Sequence, residues 1–241
     1  MNRNPCIVGV SDFPLKDRGR AGENFTELSI QKYCAIEALN QAGLKMSDVD
    51  GIAVAGMWGM PGPGLMQPNV LVEYLGIKFP KWIEGTNIGG STFLLHINHA
   101  YQAIKADQCD TVLVLYGSMQ KTNMSRNLGD RPATYSTQFE VVSGLPLPVG
   151  AYAMAAQRHM HIYGSTEETL AEIAVSTRSW ASLNKNAAFQ DSLSIEDALS
   201  SKPIASPLNR SDCCLVTDGG GALVITTEEK AKDLKTSPIY F

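Results

Sequence analysis

Glu84-Gly85-Thr86-Asn87-Ile88-Gly89-Gly90-Ser91-Thr92 is the stretch on which the fold turns. Just before it, Trp82-Ile83-Glu84 reads as a short, weak strand. After it, Ser91 to Ala106 has helical period, with Phe93, Ile97, Ala100, Tyr101 and Ile104 on one face. Thr111 to Tyr116 follows as an unbroken apolar run, the pattern of a strand buried on both sides in a parallel sheet. Strand, glycine turn, helix, strand is one unit of α/β alternation.

The same alternation extends toward the N-terminus. Cys6 to Val10 and Gly51 to Ala55 read as strands. Phe25 to Ala42 reads as a helix, with Leu28, Ala35, Ile36 and Leu39 on its apolar face and Gly43 as its stop. Met46 to Asp50 is a connector, Gly56 to Pro68 a Gly/Pro/Met-rich loop, and Asn69 to Leu75 a short helix. Repeats of this kind predict an α/β fold, a mostly parallel sheet with helices on its faces. Toward the C-terminus the character changes. Ser118 to Pro207 shows no strong strand; Tyr152–Tyr163 and Thr166–Lys185 read as helices. Thr166 suits an N-cap, and Glu167 and Glu168 then meet the positive end of the helix dipole. This excursion is expected to be mainly helical. The sheet returns at Ala222 to Thr226, and a charged helical stretch spans Glu228 to Leu234. Ile239-Tyr240-Phe241 reads as the start of another strand, one completed either by further sequence or by another chain.

Composition narrows the classes. The chain has 241 residues and a net charge of −4, without a Lys/Arg run, which argues against a nucleic-acid partner. No apolar run approaches the roughly 20 residues of a membrane helix. Five scattered cysteines fit reduced thiols and a cytoplasmic location better than a disulfide framework. Adjacent Cys213-Cys214 lacks CxxC spacing and a nearby His, so no metal site is expected, and both thiols can be packing residues.

The turn has its own chemical logic. The first turn of a helix leaves backbone N–H groups unpaired and carries partial positive charge. A thiolate there would be an activated nucleophile, but no residue from Glu84 to Thr92 is cysteine. What remains is a helix N-terminus able to hydrogen-bond a carbonyl or enolate oxygen. Gly89-Gly90 either lets the backbone turn tightly or lets a ligand approach. Ser91 is expected to cap the helix, with a nucleophile in place of the cysteine as the alternative. Asn87 either bonds its own backbone or meets substrate. His96 and His99 are read as ordinary helical histidines. Met57, Met60 and Met66 line either an apolar acyl channel or an interface.

Three stretches together resemble the thiolase superfamily. The first is Glu84 to Thr92 with the helix, Ala106 to Asp110 and the strand after it. The second is Tyr163 to Glu168 with Ala174 and Arg178 downstream. The third is Asp212-Cys213-Cys214-Leu215-Val216-Thr217-Asp218-Gly219-Gly220-Gly221-Ala222. The Gly-Gly-Ser and Asp-Cys-Cys variants resemble the lipid-transfer-protein type, which includes aldolases that cleave steroid side chains attached to CoA. The resemblance implies a thiolase-like N-terminal domain at 1–117 and 208–241, an inserted loop domain at 118–207, and a second half that is absent from this sequence. In the family the nucleophilic cysteine stands three residues after an Asn; counted from Asn87, that position is Gly90. Asn87, Gly89, Gly90 and Ser91 are thereby implied as an oxyanion and substrate pocket. Catalytic side chains are left to the missing half. His159 and Tyr163 are implied as acyl-CoA contacts. A CoA thioester is the implied substrate, with no covalently bound cofactor. The resemblance also implies a homodimer through the sheet edge at Trp82 to Asn87, and a small CoA-delivering partner as in some relatives. Without the cysteine, retro-aldol cleavage of a lipid or steroid acyl-CoA is the leading expectation. A non-catalytic acyl-CoA-binding module and an acyltransferase drawing its nucleophile from the missing half stand as alternatives.

Overall fold

The computed structural model describes residues 3–15, 18–22, 24–55, 67–123, 137–140, 142–146 and 148–241. The strands are β1 (Pro5–Asp12), β2 (Gly51–Val54), β3 (Trp82–Glu84), β4 (Thr111–Ser118), β5 (Pro203–Ala205), β6 (Leu208–Asn209) and β7 (Gly219–Thr227). The helices are α1 (Glu27–Ala42), α2 (Gln67–Leu75), α3 (Thr92–Lys105), α4 (Thr137–Glu140), α5 (Val149–Tyr163), α6 (Glu167–Leu183), α7 (Ile195–Leu199) and α8 (Glu228–Ala231). The chain divides into two compact units. One is Met1–Leu15, Arg20–Asn123 and Asp218–Phe241; the other is Lys16–Gly19 and Met124–Thr217.

The first unit is a five-stranded sheet in the order β1-β7-β4-β2-β3. β2 pairs parallel with both β3 and β4, while β7 pairs antiparallel with β4 and β1. Four of the five strands therefore run one way, as the alternation predicts, and β7 alone runs against them. β4 lies in the middle, which is why its sequence is apolar at successive positions: Val112, Leu113, Val114 and Leu115 are all buried. Alternate side chains serve opposite faces. Ile52, Val54, Leu113, Leu115 and Val224 join α1 and α2 in one core. Ala53, Val112, Val114 and Ile225 join α3 in the other.

Helix α1 starts at a capping box between Thr26 and Ser29 and stops where Gly43 adopts φ 81°. Its buried face is rotated from the expected one. Ile30, Gln31, Cys34, Ala35, Ala38 and Leu39 are buried, whereas Ile36 is exposed. The reason is a close, small-residue contact with the sheet. A Cβ on Gly9 would collide with the carbonyl of Ala38, and one on Gly117 would lie 2.5 Å from Gln31 Cγ. Beyond β7, Ile239 exchanges two backbone hydrogen bonds of 2.9 Å with Ile7, so the strand suggested at the C-terminus is here a single bridge to edge strand β1.

The second unit holds α4 to α7 and the two-stranded β5-β6 pair. Its described residues are mainly helical, as expected, with Thr166 as the extended N-cap of α6.

Candidate functional site

The glycine turn joins β3 to α3. Gly89, Gly90 and Ser91 form a single 3-10 turn that runs straight into α3. Gly89 has φ +80°, a left-handed conformation that favours glycine. The Asn87 side-chain oxygen accepts the Gly89 N–H at 3.0 Å, a turn closed on its own backbone. Thr92 is fully buried beneath this turn. Its hydroxyl accepts the Ile88 N–H at 2.9 Å and donates to the Gly89 carbonyl at 2.6 Å.

Ser91 does not cap the helix, contrary to expectation. A cap needs extended backbone to swing its side chain over the helix end, and Ser91 already has helical angles of −76° and −6°. Thr92, one residue on, ties the turn instead. Asn87, Gly89, Gly90 and Ser91 are all exposed, and a Cβ on Gly89 or Gly90 would meet nothing within 4 Å. The turn is therefore not sealed by packing. The N–H groups of Gly90 and Ser91 lie at the head of the 3-10 turn, where no intrahelical acceptor is available.

A polar cluster supports the turn from below. The expected apolar face of α3 omits its central residue: the buried positions are Thr92, His96, Ala100, Ala103 and Ile104. His96 has no exposed surface, and its Nε2 lies 2.9 Å from the Thr86 carbonyl. A carbonyl only accepts, so Nε2 carries the proton. Burial lowers the His96 pKa, against the opposing pull of the Thr86 carbonyl and Glu84. Nearby, the Thr86 backbone N–H and hydroxyl both bond Glu84 Oε1, and His99 Nδ1 lies 3.3 Å from Glu84 Oε2. Burial raises the Glu84 pKa, but the Thr86 bonds and His99 outweigh it and hold the carboxyl below its ordinary value. The available signal was spacing: Thr92, His96, Ala100 and Ala103 fall on one helical face, which puts a histidine at a core position.

In the second unit, His159 and Tyr163 lie one turn apart on α5 and are exposed. Their rings stand 4.7 Å apart, and His159 Nδ1 is 2.8 Å from Ser165 Oγ. His161 is also exposed. Separately, α6, the segments on either side of α7 and the segment after β6 line an open cavity of about 840 Å³. Arg18, Arg178 and Arg210 line it, with Phe189, Cys213 and Cys214. The guanidinium carbons of Arg18 and Arg178 stand 5.5 and 5.2 Å from the Phe189 ring centre. Asp197 and Asp212 also face the cavity, yet both carboxylates bond backbone N–H groups at the starts of helical turns. The cavity thus combines apolar walls with several cations, a setting for a phosphorylated or carboxylated ligand with an apolar part.

None of the cysteines is in the turn. Cys6, Cys34 and Cys109 are buried, and burial pushes their thiols up to about 11, 11 and 12. Cys213 is raised too, by burial first and then by Asp212 and Cys214. Among the described residues, no group of three His, Cys, Asp or Glu side chains is arranged to hold a metal ion. No described helix is long and apolar enough to cross a membrane. Met57, Met60 and Met66 lie outside the described residues.

The fold is thiolase-like, and the chain is similar to steroid side-chain aldolases and thiolases. It is 30% identical over 243 aligned positions to a 17-hydroxy-3-oxo-4-pregnene-20-carboxyl-CoA lyase of Mycobacterium tuberculosis, covering 96% of this chain and 59% of that protein. It is 43% identical over 234 positions to the benzoylsuccinyl-CoA thiolase subunit BbsB of Thauera aromatica, covering 97% of this chain and 58% of that one. Among solved structures, the "Ltp2-ChsH2(DUF35) aldolase" superposes with a TM-score of 0.82 at 27% identity, covering 98% of this chain and 59% of that one. The chain thus spans less than two thirds of the length of these relatives. No family model matches it.

Proposed function

We propose that the complete protein cleaves a carbon–carbon bond in a β-hydroxyacyl-CoA by a retro-aldol reaction. The observation that carries this reading is the open glycine turn at the head of α3, which offers backbone N–H groups and no cysteine. A base takes the β-hydroxyl proton, the Cα–Cβ bond breaks, and the hydroxyl carbon becomes a carbonyl. The electron pair of the broken bond passes to the thioester enolate, whose oxygen is held by the turn at Asn87, Gly89, Gly90 and Ser91. Proton return to Cα releases the shortened acyl-CoA. On this proposal the base comes from the part of the relatives' length that this chain does not span. In this reading, residues 1–117 and 208–241 are the thiolase-like N-terminal domain. Residues 118–207 are the loop domain, with His159 and Tyr163 meeting the acyl-CoA, and the arginine-lined cavity of the second compact unit takes the CoA phosphates.

The names of the relatives support a CoA thioester as substrate. The steroid lyase favours a large, polycyclic acyl group. Identity to a thiolase subunit favours acyl transfer as the second reading, with a nucleophile from the missing half. A small partner protein fits the two-component aldolase. Strand β3 is a sheet edge, and exposed Ile83 and Phe79 near it suit homodimerisation there. The thiols, all unpaired, fit a cytoplasmic protein. Incubating the complete protein with a β-hydroxyacyl-CoA tests the proposal. A free aldehyde or ketone appearing with the shortened acyl-CoA supports it. A covalent acyl-enzyme seen by mass spectrometry replaces it with acyl transfer, and binding without turnover replaces it with a non-catalytic module.

A further inference from the structure

Two observations beneath the turn have no part in the function proposed above. His96 is fully buried, one helical turn from Thr92, and its Nδ1 has no hydrogen-bond partner. Its Nε2 reaches back ten residues to the Thr86 carbonyl, the last peptide before the turn residues. An apolar side chain would fill such a core position at lower cost, because a buried polar atom without a partner is unfavourable. A histidine there is explained if its one bond is needed.

We infer that His96 is a positioning residue for the Asn87–Ser91 turn, acting through the Thr86 carbonyl as a neutral imidazole protonated on Nε2. The bond fixes the Thr86–Asn87 peptide on the near side of the turn, while the Thr92 hydroxyl fixes Ile88 and Gly89 on the far side. A Cβ on Gly89 or Gly90 would meet nothing within 4 Å, so side-chain packing does not hold the glycines in place. Glu84 and His99 are the charged or titratable groups that act on His96, and Glu84 also holds the Thr86 N–H and hydroxyl. Thr86 is thus gripped on both sides of its α-carbon. An oxyanion site works only when its donors are fixed beforehand, and an exposed Gly-Gly turn supplies no rigidity itself. The inference rests on the proposed role of the turn for its meaning in catalysis, but its structural content can be tested separately.

The experiment compares the wild-type complete protein with His96→Phe, which keeps the ring and loses the donor, and His96→Gln, whose amide can donate from a similar distance. Amide exchange is followed at residues 87–92 and in β4, alongside affinity for acetyl-CoA. In His96→Phe, exchange at the turn should quicken and acetyl-CoA affinity should fall, each by about tenfold, the scale of one lost hydrogen bond. Exchange in β4 should stay as in wild type, and His96→Gln should restore most of both effects. Unchanged exchange at 87–92 in folded His96→Phe would overturn the inference. If His96→Phe does not fold, nitrogen NMR of the wild type decides. A neutral ring with its proton on Nε2 at pH 7 supports the inference, and an Nδ1–H tautomer or an imidazolium overturns it. A looser turn with no acetyl-CoA binding even in wild type would leave the positioning role intact and remove the proposed function instead.

Discussion

Asp218 is buried to 1% exposure, and four donors converge on its two oxygens. They are the backbone N–H groups of Ala21, Lys121 and Thr122, each at 2.9 Å, and the Thr122 hydroxyl. Burial alone would raise its pKa, but these bonds outweigh burial and hold it below the ordinary 3.8. A lowered carboxylate pKa contributes stability that is complete above the unfolded value and is lost as pH falls through the folded one. Acid denaturation should therefore begin below about pH 4 in the wild type, and this component should be missing in Asp218→Asn. Asp218→Ala strands buried N–H groups and should cost about 3 kcal/mol in urea unfolding. The glycines of the turn should behave differently. Gly90→Ala meets open space, so melting temperature should change little while acyl-CoA affinity or turnover drops. Gly89→Ala adds strain at φ +80°, about 1 kcal/mol. Equal activity in a well-folded Gly90→Ala protein would remove the turn from the site.

At the scale of elements, α1 and α3 show what periodicity can and cannot reveal. Both helices were legible from their apolar spacing, with Gly43 marking the end of α1. Their buried faces were less so. The pattern predicted Ile36 inward, yet contact is made through Ile30, Gln31, Ala38 and the glycines of three strands. A glycine in a strand gives no hydrophobic signal, so the line along which helix meets sheet is invisible until strand order is known. The consequence can be measured. A Cβ on Gly220 would collide with Ile30 and lie 2.8 Å from the Tyr116 carbonyl. Gly220→Val should destabilise the protein by about 3 kcal/mol, the upper range for overpacking. A change below about 1 kcal/mol in the urea midpoint series would mean that α1 shifts freely, against the packing described. In α3 the polar Thr92 and His96 occupy core positions because each has a backbone partner in the preceding turn.

For the molecule as a whole, catalysis is predicted to need none of its cysteines. Three are buried with raised thiol pKa values, and a protonated, inaccessible thiol reacts slowly. A mild alkylating agent should label exposed Cys214 first, then half-buried Cys213, and reach Cys6, Cys34 and Cys109 only on unfolding. Cys214→Ala should keep turnover in the complete protein. Loss of activity in one such variant with an intact fold would make that thiol the nucleophile and favour acyl transfer. Light scattering should find the complete protein as a dimer, and a charged residue at Ile83 on edge strand β3 should shift it toward monomer. A dimer unaffected by that substitution would place the interface elsewhere.

By itself the sequence determined the α/β alternation, because periods of 3.6 and 2 survive in any context that buries one face of an element. It also determined the glycine turn between Glu84 and Thr92 and the absence of cysteine in it, which are matters of composition. Tertiary structure alone decided that β7 runs against its neighbours, since direction depends on where the chain returns after the long excursion. It alone decided that Thr92, not Ser91, ties the turn, because a 3-10 start had already fixed Ser91 in helical angles. And it alone brought the Thr86 carbonyl to His96, ten residues on: a hydrogen bond made by folding the chain back on itself leaves no period in the sequence to read.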